Sequence, residues 1–268
     1  MQVTHIPEGA GPYRLGRHVE HDARSLRFAH GVLPSSAIQP VQWTRRVPVF
    51  DQGDTGSCTG QAAAGLLGTD SAVRQGLTSV QTTQGVREVN EGLAMALYGL
   101  ATTLDSIPGT YPPDDTGSSS LAAAKALQQL GLATGYTHGF GVGALKSALQ
   151  DGPVMLGVLW LNSMFQPSAD GTVTVDPSSP VAGGHELIVA GWDGGQFRLD
   201  NSWGAAWGDG GSGYITEADM AWLLNQQGDV TVPALVGTPT PDPAPVSGPV
   251  SSAELAADIR ELLAAKGV

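Results

Sequence analysis

The chain has 268 residues with 13 Lys+Arg against 25 Asp+Glu, a formal charge of −12, and only 14% of its residues are charged. That length gives a prior of one or two domains, and the low charge with 37 glycines describes a compact, loop-rich protein with a real core, not a solvated disordered chain. The acidic balance offers no surplus of cations to displace counterions, so binding to nucleic acid or to anionic membrane surfaces is not expected.

Residues 1–40 carry turn residues and mixed charge without a sustained period and read as an irregular arm. Residues 41–152 carry mostly helical patterns. Val86, Val89, Leu93, Leu97 and Leu100 recur at helical spacing, as do Leu121, Ala124, Leu127 and Leu130 behind the capping candidates Ser118–Ser120. Residues 153–236 read mostly as strands, PVMLGVLWL, TVTV, ELIVAGWD, QFRLD, GYITE and DVTVPALV, separated by Gly and Pro turns. Helices first and strands second predict an α+β fold of two packed lobes, with 41–236 as one domain.

Residues 237–250 hold five prolines and read as a semi-extended linker. Residues 251–268 form a short amphipathic helix: Ser251 and Glu254 have capping-box spacing, and Leu255, Ile259, Leu262 and Leu263 make one apolar stripe. That stripe either docks on the chain's own core, frays, or meets a protein partner. No secretory signal or membrane-length apolar run is visible, so a soluble cytoplasmic or particle-associated protein is expected.

The informative segment is VPVFDQGDTGSCTGQAAAGLLG, residues 47–68. Cys58 follows a Gly- and Asp-rich loop and opens a run of small and apolar residues that reads as a buried helix. A thiol at a helix N-terminus faces unpaired N–H groups and the positive end of the helix dipole, which favour the thiolate. As the single cysteine it can form no intramolecular disulfide and build no cysteine-based metal site. Gln52, six positions earlier, supplies an amide donor for an oxyanion. His185 and Asn201 follow far downstream, in GGHELIVAGWD and LDNSWGAAWGDGGSGYI. Acyl transfer by a thiol needs a nucleophile, an imidazole to shuttle its proton, a group fixing the imidazole tautomer, and donors aimed at the tetrahedral oxygen. All four roles have a candidate.

These strings resemble the papain-like cysteine peptidases, in a bacterial or viral-type branch without disulfides. Thr55-Gly56-Ser57-Cys58-Thr59 stands where that family has Cys-Gly-Ser/Ala-Cys-Trp/Tyr, and His185 and Asn201 follow 127 and 143 residues later. Asn201-Ser202-Trp203-Gly204, Trp207-Gly208 and Gly213-Tyr214-Ile215 match the family's asparagine strings, and the resemblance covers roughly residues 41–217. It implies a papain-like two-lobed fold, with a helical N-terminal lobe, a β-rich C-terminal lobe and the site in the cleft between them. It implies a cysteine endopeptidase acting on peptides or proteins through a Cys58 thioester, with no cofactor and no metal. The Cys58–His185 pair is then expected as thiolate and imidazolium near neutral pH.

By position, His185 would be the general base and acid and Asn201 its orienter. Gln52 with the Cys58 N–H would form the oxyanion hole. Trp203 would shield the Asn–His bond, and Trp207 would line the leaving-group side. Gly117, Ser118 and Ser119 would pair with substrate on the acyl side, while Gly157 and Gly184 would border the main specificity pocket. Three departures stand out: Thr59 replaces the usual Trp, Glu186 follows His185 where a small apolar residue is usual, and about 50 residues precede Gln52. Strand alternation points Glu186 away from the imidazole. Residues 1–40 are expected to wrap the body or lie in the cleft as a short latch. The alternatives are a hydrolase of peptidoglycan cross-links, or a non-catalytic binding or structural module tethered by residues 251–268.

Other motifs carry less. Gly56-Ser57-Cys58-Thr59-Gly60 lacks the strand that a hydrolase nucleophile elbow needs. Gly208–Gly213 spells a dinucleotide fingerprint but lies inside the Asn201 string and reads as a turn. His18 and His21 have metal spacing without further ligands, the acidic residues near Asp209 lack calcium-loop spacing, and Trp43 and Trp192 read as packing.

Overall fold

A computed structural model describes residues 2–236, so the expected linker and tail helix of 237–268 lie outside the described residues. The arm holds two short paired strands, β1 (Gln2–Thr4) and β2 (Val19–His21), and leads into β3 (Val41–Gln42). The helical lobe follows: α1 (Cys58–Leu67), the hairpin β4 (Ser79–Thr82) and β5 (Gly85–Glu88), α2 (Glu91–Leu104) and α3 (Ser120–Gln129). The remaining elements are β6 (Ala133–Gly139), α4 (Val142–Leu149), β7 (Val154–Leu161), β8 (Val181–Trp192), β9 (Gln196–Asp200), β10 (Ser212–Thr216), α5 (Glu217–Asn225) and β11 (Asp229–Leu235). The expected α+β architecture is present: three helices pack beside an antiparallel sheet of order β10-β9-β8-β7-β11-β6, with β3 added on β8.

Helix α1 is buried along its whole length, as its lack of any polar stripe requires. Small residues let it sit deep. A Cβ on Gly60 would stand 2.7 Å from the Tyr98 Cβ of α2, and one on Gly65 would run into Ile188 of β8. Asn90 caps α2 by accepting from the Leu93 N–H (3.2 Å), and Ser119 caps α3 by accepting from the Ala122 N–H (3.1 Å). The sheet divides its side chains between two cores by the two-residue period of a strand. Val154, Leu156 and Val158 of β7 with Leu187 and Val189 of β8 enter one core, around Trp160, Phe197 and Leu223. Met155, Ile188 and Ala190 enter the other, against α1, α2 and α3.

Four local expectations change. Val86 lies in β5 and is exposed, and the helical run begins only after Asn90. TVTV forms no strand; Thr172 makes a single bridge to Tyr214 while Val173 is buried. Strand β6 and helix α5 are additions: β6 is an edge strand, mostly polar and glycine, that pairs with β11 and is bridged by the arm at Ala29–His138, and α5 buries only Met220 and Leu223. Neither has the apolar period that marks an element in sequence.

Candidate active site

Cys58 is the first residue of α1 and is fully buried. No strand runs into it; the DQGDTGS loop does, and Asp115 fixes that loop by accepting from the Gly56 N–H at 3.0 Å. Across the groove, β8 presents His185, also fully buried, whose Nε2 lies 2.8 Å from Asn201 Oδ1. The Ser202 N–H donates to the same oxygen at 2.8 Å, which identifies that atom as the acceptor. His185 therefore carries its proton on Nε2 and keeps the Nδ1 lone pair, which has no protein partner. The Trp203 ring stacks on the imidazole at 4.4 Å and 24°, and Trp160 meets it edge-on at 5.0 Å. Trp207 stands edge-on to Trp203 at 5.6 Å and donates from Nε1 to the Phe165 carbonyl at 2.9 Å.

Gln52 is held from the β-rich side: its Oε1 accepts from Ser202 Oγ at 2.8 Å. Its Nε2 donates to the Thr55 carbonyl at 2.9 Å and to the Arg14 carbonyl of the arm at 3.1 Å. Trp203 Nε1 points at that same Arg14 carbonyl from 3.3 Å, and Tyr13 stacks on Trp203 at 4.6 Å and 6°. A carbonyl of the chain itself thus sits on the Gln52 donor.

The arm continues through the groove. Gly16 and Arg17 N–H donate to the Gly184 carbonyl at 3.0 and 2.9 Å; the His18 N–H donates to the Ser118 carbonyl and the Ser118 N–H to the Gly16 carbonyl, both at 2.8 Å. Gly117 turns there with φ +70, and a Cβ on it would press into the Gly16 carbonyl. Ser119 faces elsewhere: besides capping α3, its hydroxyl donates to Glu20 at 2.8 Å. His18 is held as a structural residue, with Nδ1 accepting from the Ile6 N–H at 3.1 Å and Nε2 at 2.9 Å from the Thr116 carbonyl.

Burial sets the protonation of the site. Desolvation pushes the Cys58 thiol well up, with the charge of Glu186 adding to it; the N–H groups of Glu186 and Thr59, aimed at the sulfur, pull the other way. Burial carries His185 down to about 4 against the opposing Asn201 hydrogen bond. With the arm in place, burial favours the neutral thiol and the neutral imidazole. Both shifts oppose the expected thiolate–imidazolium pair while the two groups are buried, because desolvation penalises each charge.

Glu186 is fully buried on the face of β8 opposite His185, as strand alternation requires, and accepts from Ser120 Oγ at 2.6 Å. Arg17, fully buried, pairs with Asp229 and donates to the Gln227 carbonyl at 2.8 Å. Glu186 stands beside His185 in its string, but Asp229 and the arm residues Tyr13, Arg14 and Arg17 were not legible as site residues: no motif surrounds them, and only register and chain path bring them there. Trp43 and Trp192 lie in packing positions, Trp43 donating to the Leu149 carbonyl at 2.9 Å and Trp192 lying under Lys146. Gly208, Gly210 and Gly211 form a tight left-handed turn between Asn201 and β10. Among the described residues no group of three or more His, Cys, Asp or Glu is placed to hold a metal, and no helix is long and apolar enough to cross a membrane.

Known structures share this architecture. Xylellain, a cysteine protease from Xylella fastidiosa, superposes with a TM-score of 0.61 over 86% of this chain and 98% of its own, at 16% identity. Procathepsin B S9 from Trypanosoma congolense gives 0.54 over 82% of this chain and 86% of its own at 11% identity. Digestive procathepsin L 3 of Tenebrio molitor larval midgut gives 0.53 over 78% and 75% at 16% identity. The fold is papain-like. Gamete and mating-type specific protein A of Dictyostelium discoideum is 27% identical over 194 residues, 67% of this chain, and the match spans 42% of that protein's length. No family model matches the chain.

Proposed function

We propose that the protein is a cysteine peptidase with Cys58 as nucleophile, kept shut by its own N-terminal arm. One observation supports the reading: the thiol opens α1 with the Glu186 N–H of β8 aimed at it, the preceding residue of that strand is an imidazole with its tautomer fixed by Asn201, and Gln52 bonds Ser202, so two distant parts of the chain supply the groups. The neighbouring cysteine proteases and procathepsins support it at the level of fold.

With the arm withdrawn and water admitted, the Cys58 proton passes to His185 Nδ1. The thiolate then attacks the peptide carbonyl carbon, and the oxygen takes up charge against Gln52 Nε2 and the Cys58 N–H. The imidazolium returns its proton to the departing amine, leaving a thioester. Water, deprotonated by His185, attacks that thioester and regenerates the thiol. Asn201 holds the ring, and Trp203 keeps water off the bond between them. Trp207 borders the leaving-group side; Gly117 and Ser118 pair with the acyl side, where Ser118 now pairs with the arm. Gly157 and Gly184 border the acyl-side pocket, and Ser119 acts through its cap on α3.

The arm mimics a bound peptide but runs in the opposite sense. Tyr13 and Arg14 lie on the Trp203 side and Arg17 and His18 on the Ser118 side, whereas the acyl half of a substrate is its N-terminal half. No arm carbonyl is therefore presented with its leaving group on the correct side, and the arm blocks the groove without being cut.

Hydrolysis of casein and of fluorogenic peptides by the full chain, by an arm-opened Gly16→Ala variant and by Cys58→Ala tests this. Activity is expected in the first two, rising in the second, with none in Cys58→Ala and with iodoacetamide labelling Cys58. Turnover surviving in Cys58→Ala overturns the mechanism. The full burial of the thiol is the observation that favours a non-catalytic module, and an opened chain that is labelled yet cleaves neither casein nor purified peptidoglycan would establish that reading.

A further inference from the structure

Glu186, Gly157 and Asp229 form a row across three adjacent strands. Gly157 of β7 is the register partner of Glu186 of β8 on one side and of Asp229 of β11 on the other. Directly opposed residues share one face of a sheet, and this face looks toward the N-terminus of α3. The middle position is empty by composition: a Cβ on Gly157 would stand 2.6 Å from Arg17 Nε, 2.8 Å from Glu186 Oε2 and 2.9 Å from Ser120 Oγ. The row is thus a notch with a carboxyl group on each wall, Glu186 pushed by burial toward its protonated form, and the arm has threaded a guanidinium into it.

Its polar atoms are only partly used. Arg17 spends Nη2 on Asp229 and on the Gln227 carbonyl, while its Nε and Nη1, Glu186 Oε1 and Asp229 Oδ1 find no partner. One buried carboxyl, Glu186, and one partly exposed carboxyl, Asp229, therefore face a single cation that hydrogen-bonds only the second. An empty notch would leave the buried Glu186 with Ser120 as its hydrogen-bond donor and Asp229 without its ion pair, an arrangement that favours a cation. A planar fork of N–H donors answers two carboxyls better than a point charge does.

We propose that the Glu186–Gly157–Asp229 notch is a binding pocket for a cationic substrate side chain, selecting peptides with arginine, and less strongly lysine, on the acyl side of the scissile bond. The arm holds the groove shut by placing its own Arg17 in the pocket meant for that side chain. This inference rests on the peptidase reading, and its test separates the two.

Blocked peptides differing only by arginine, lysine or norleucine at the first, second or third position before the scissile bond are titrated calorimetrically into the full chain carrying Cys58→Ala and Arg17→Ala. Arg17→Met replaces the latter if the alanine variant does not fold. At one of the three positions arginine is expected to bind at least 10-fold more tightly than norleucine, with lysine between. Adding Asp229→Asn or Glu186→Gln is expected to cut that ratio several-fold. In the chain retaining Cys58, kcat/KM follows the same order. Equal binding of arginine and norleucine, no measurable binding of any peptide, or a preference that survives both acid substitutions overturns the pocket. Selective binding without turnover leaves the pocket standing and rejects the peptidase.

Discussion

Gly16→Ala is the sharpest test of the closed groove, because it touches the arm and none of the residues proposed to do chemistry. Gly16 sits at φ +152, a region open essentially to glycine alone, and a non-glycine residue held there costs ~1–3 kcal/mol. The added methyl would also overlap the backbone of Gly56. That backbone cannot retreat, since the Gly56 N–H is anchored to Asp115 at 3.0 Å at the entrance to α1. Overlap of this kind adds ~1–3 kcal/mol. The closed arm is then destabilised by at least ~2 kcal/mol, which shifts the closed-to-open ratio by ~30-fold. Cys58 is fully buried, so alkylation requires opening, and its rate follows the open population when opening is fast. Iodoacetamide labelling followed by intact mass is expected to run at least ~30-fold faster in Gly16→Ala, with the thermal midpoint of the body nearly unchanged. Tyr13→Ala, which removes the stack on Trp203, is expected to accelerate labelling by a smaller factor. Labelling of Gly16→Ala at the wild-type rate would refute the reasoning.

Three further outcomes are expected. His185 should titrate near 4 in the full chain, read from its imidazole C–H resonances, and move toward 6.5 in Gly16→Ala. Because the closed-state value lies below the open one, its contribution to closure, about 3 kcal/mol by the size of that shift, is complete above pH 6.5 and is lost as pH falls toward 4; titration near 6.5 in the closed chain would contradict it. Gln52→Ala should lower kcat by ~10²–10³ with little change in KM, since its amide is aimed at a carbonyl oxygen. Leu97→Ala, at a fully buried position of α2 in the helical core, should cost ~2–5 kcal/mol in urea unfolding at unchanged cleavage specificity.

The sequence by itself determined the elements whose residues carry their own signal. Cys58 with its buried small-residue helix, the capped runs after Asn90 and Ser119, and the alternating strands around His185 are local patterns, and local sterics and burial enforce them wherever the chain goes. The ordered Gln52, Cys58, His185 and Asn201 motifs named the residues that the fold brings to one groove, because each motif is a short string with fixed neighbours. Strand alternation likewise put Glu186 and His185 on opposite faces. Only the tertiary structure decided the rest. The edge strand β6 and the half-buried α5 exist because neighbours cover them, with no period of their own to announce them. The path of residues 13–18 through the groove, the burial that favours the uncharged thiol and imidazole, and the meeting of Arg17, Glu186 and Asp229 depend on contacts between segments up to 212 residues apart. Those contacts follow from cross-strand register and excluded water, which no window of sequence contains.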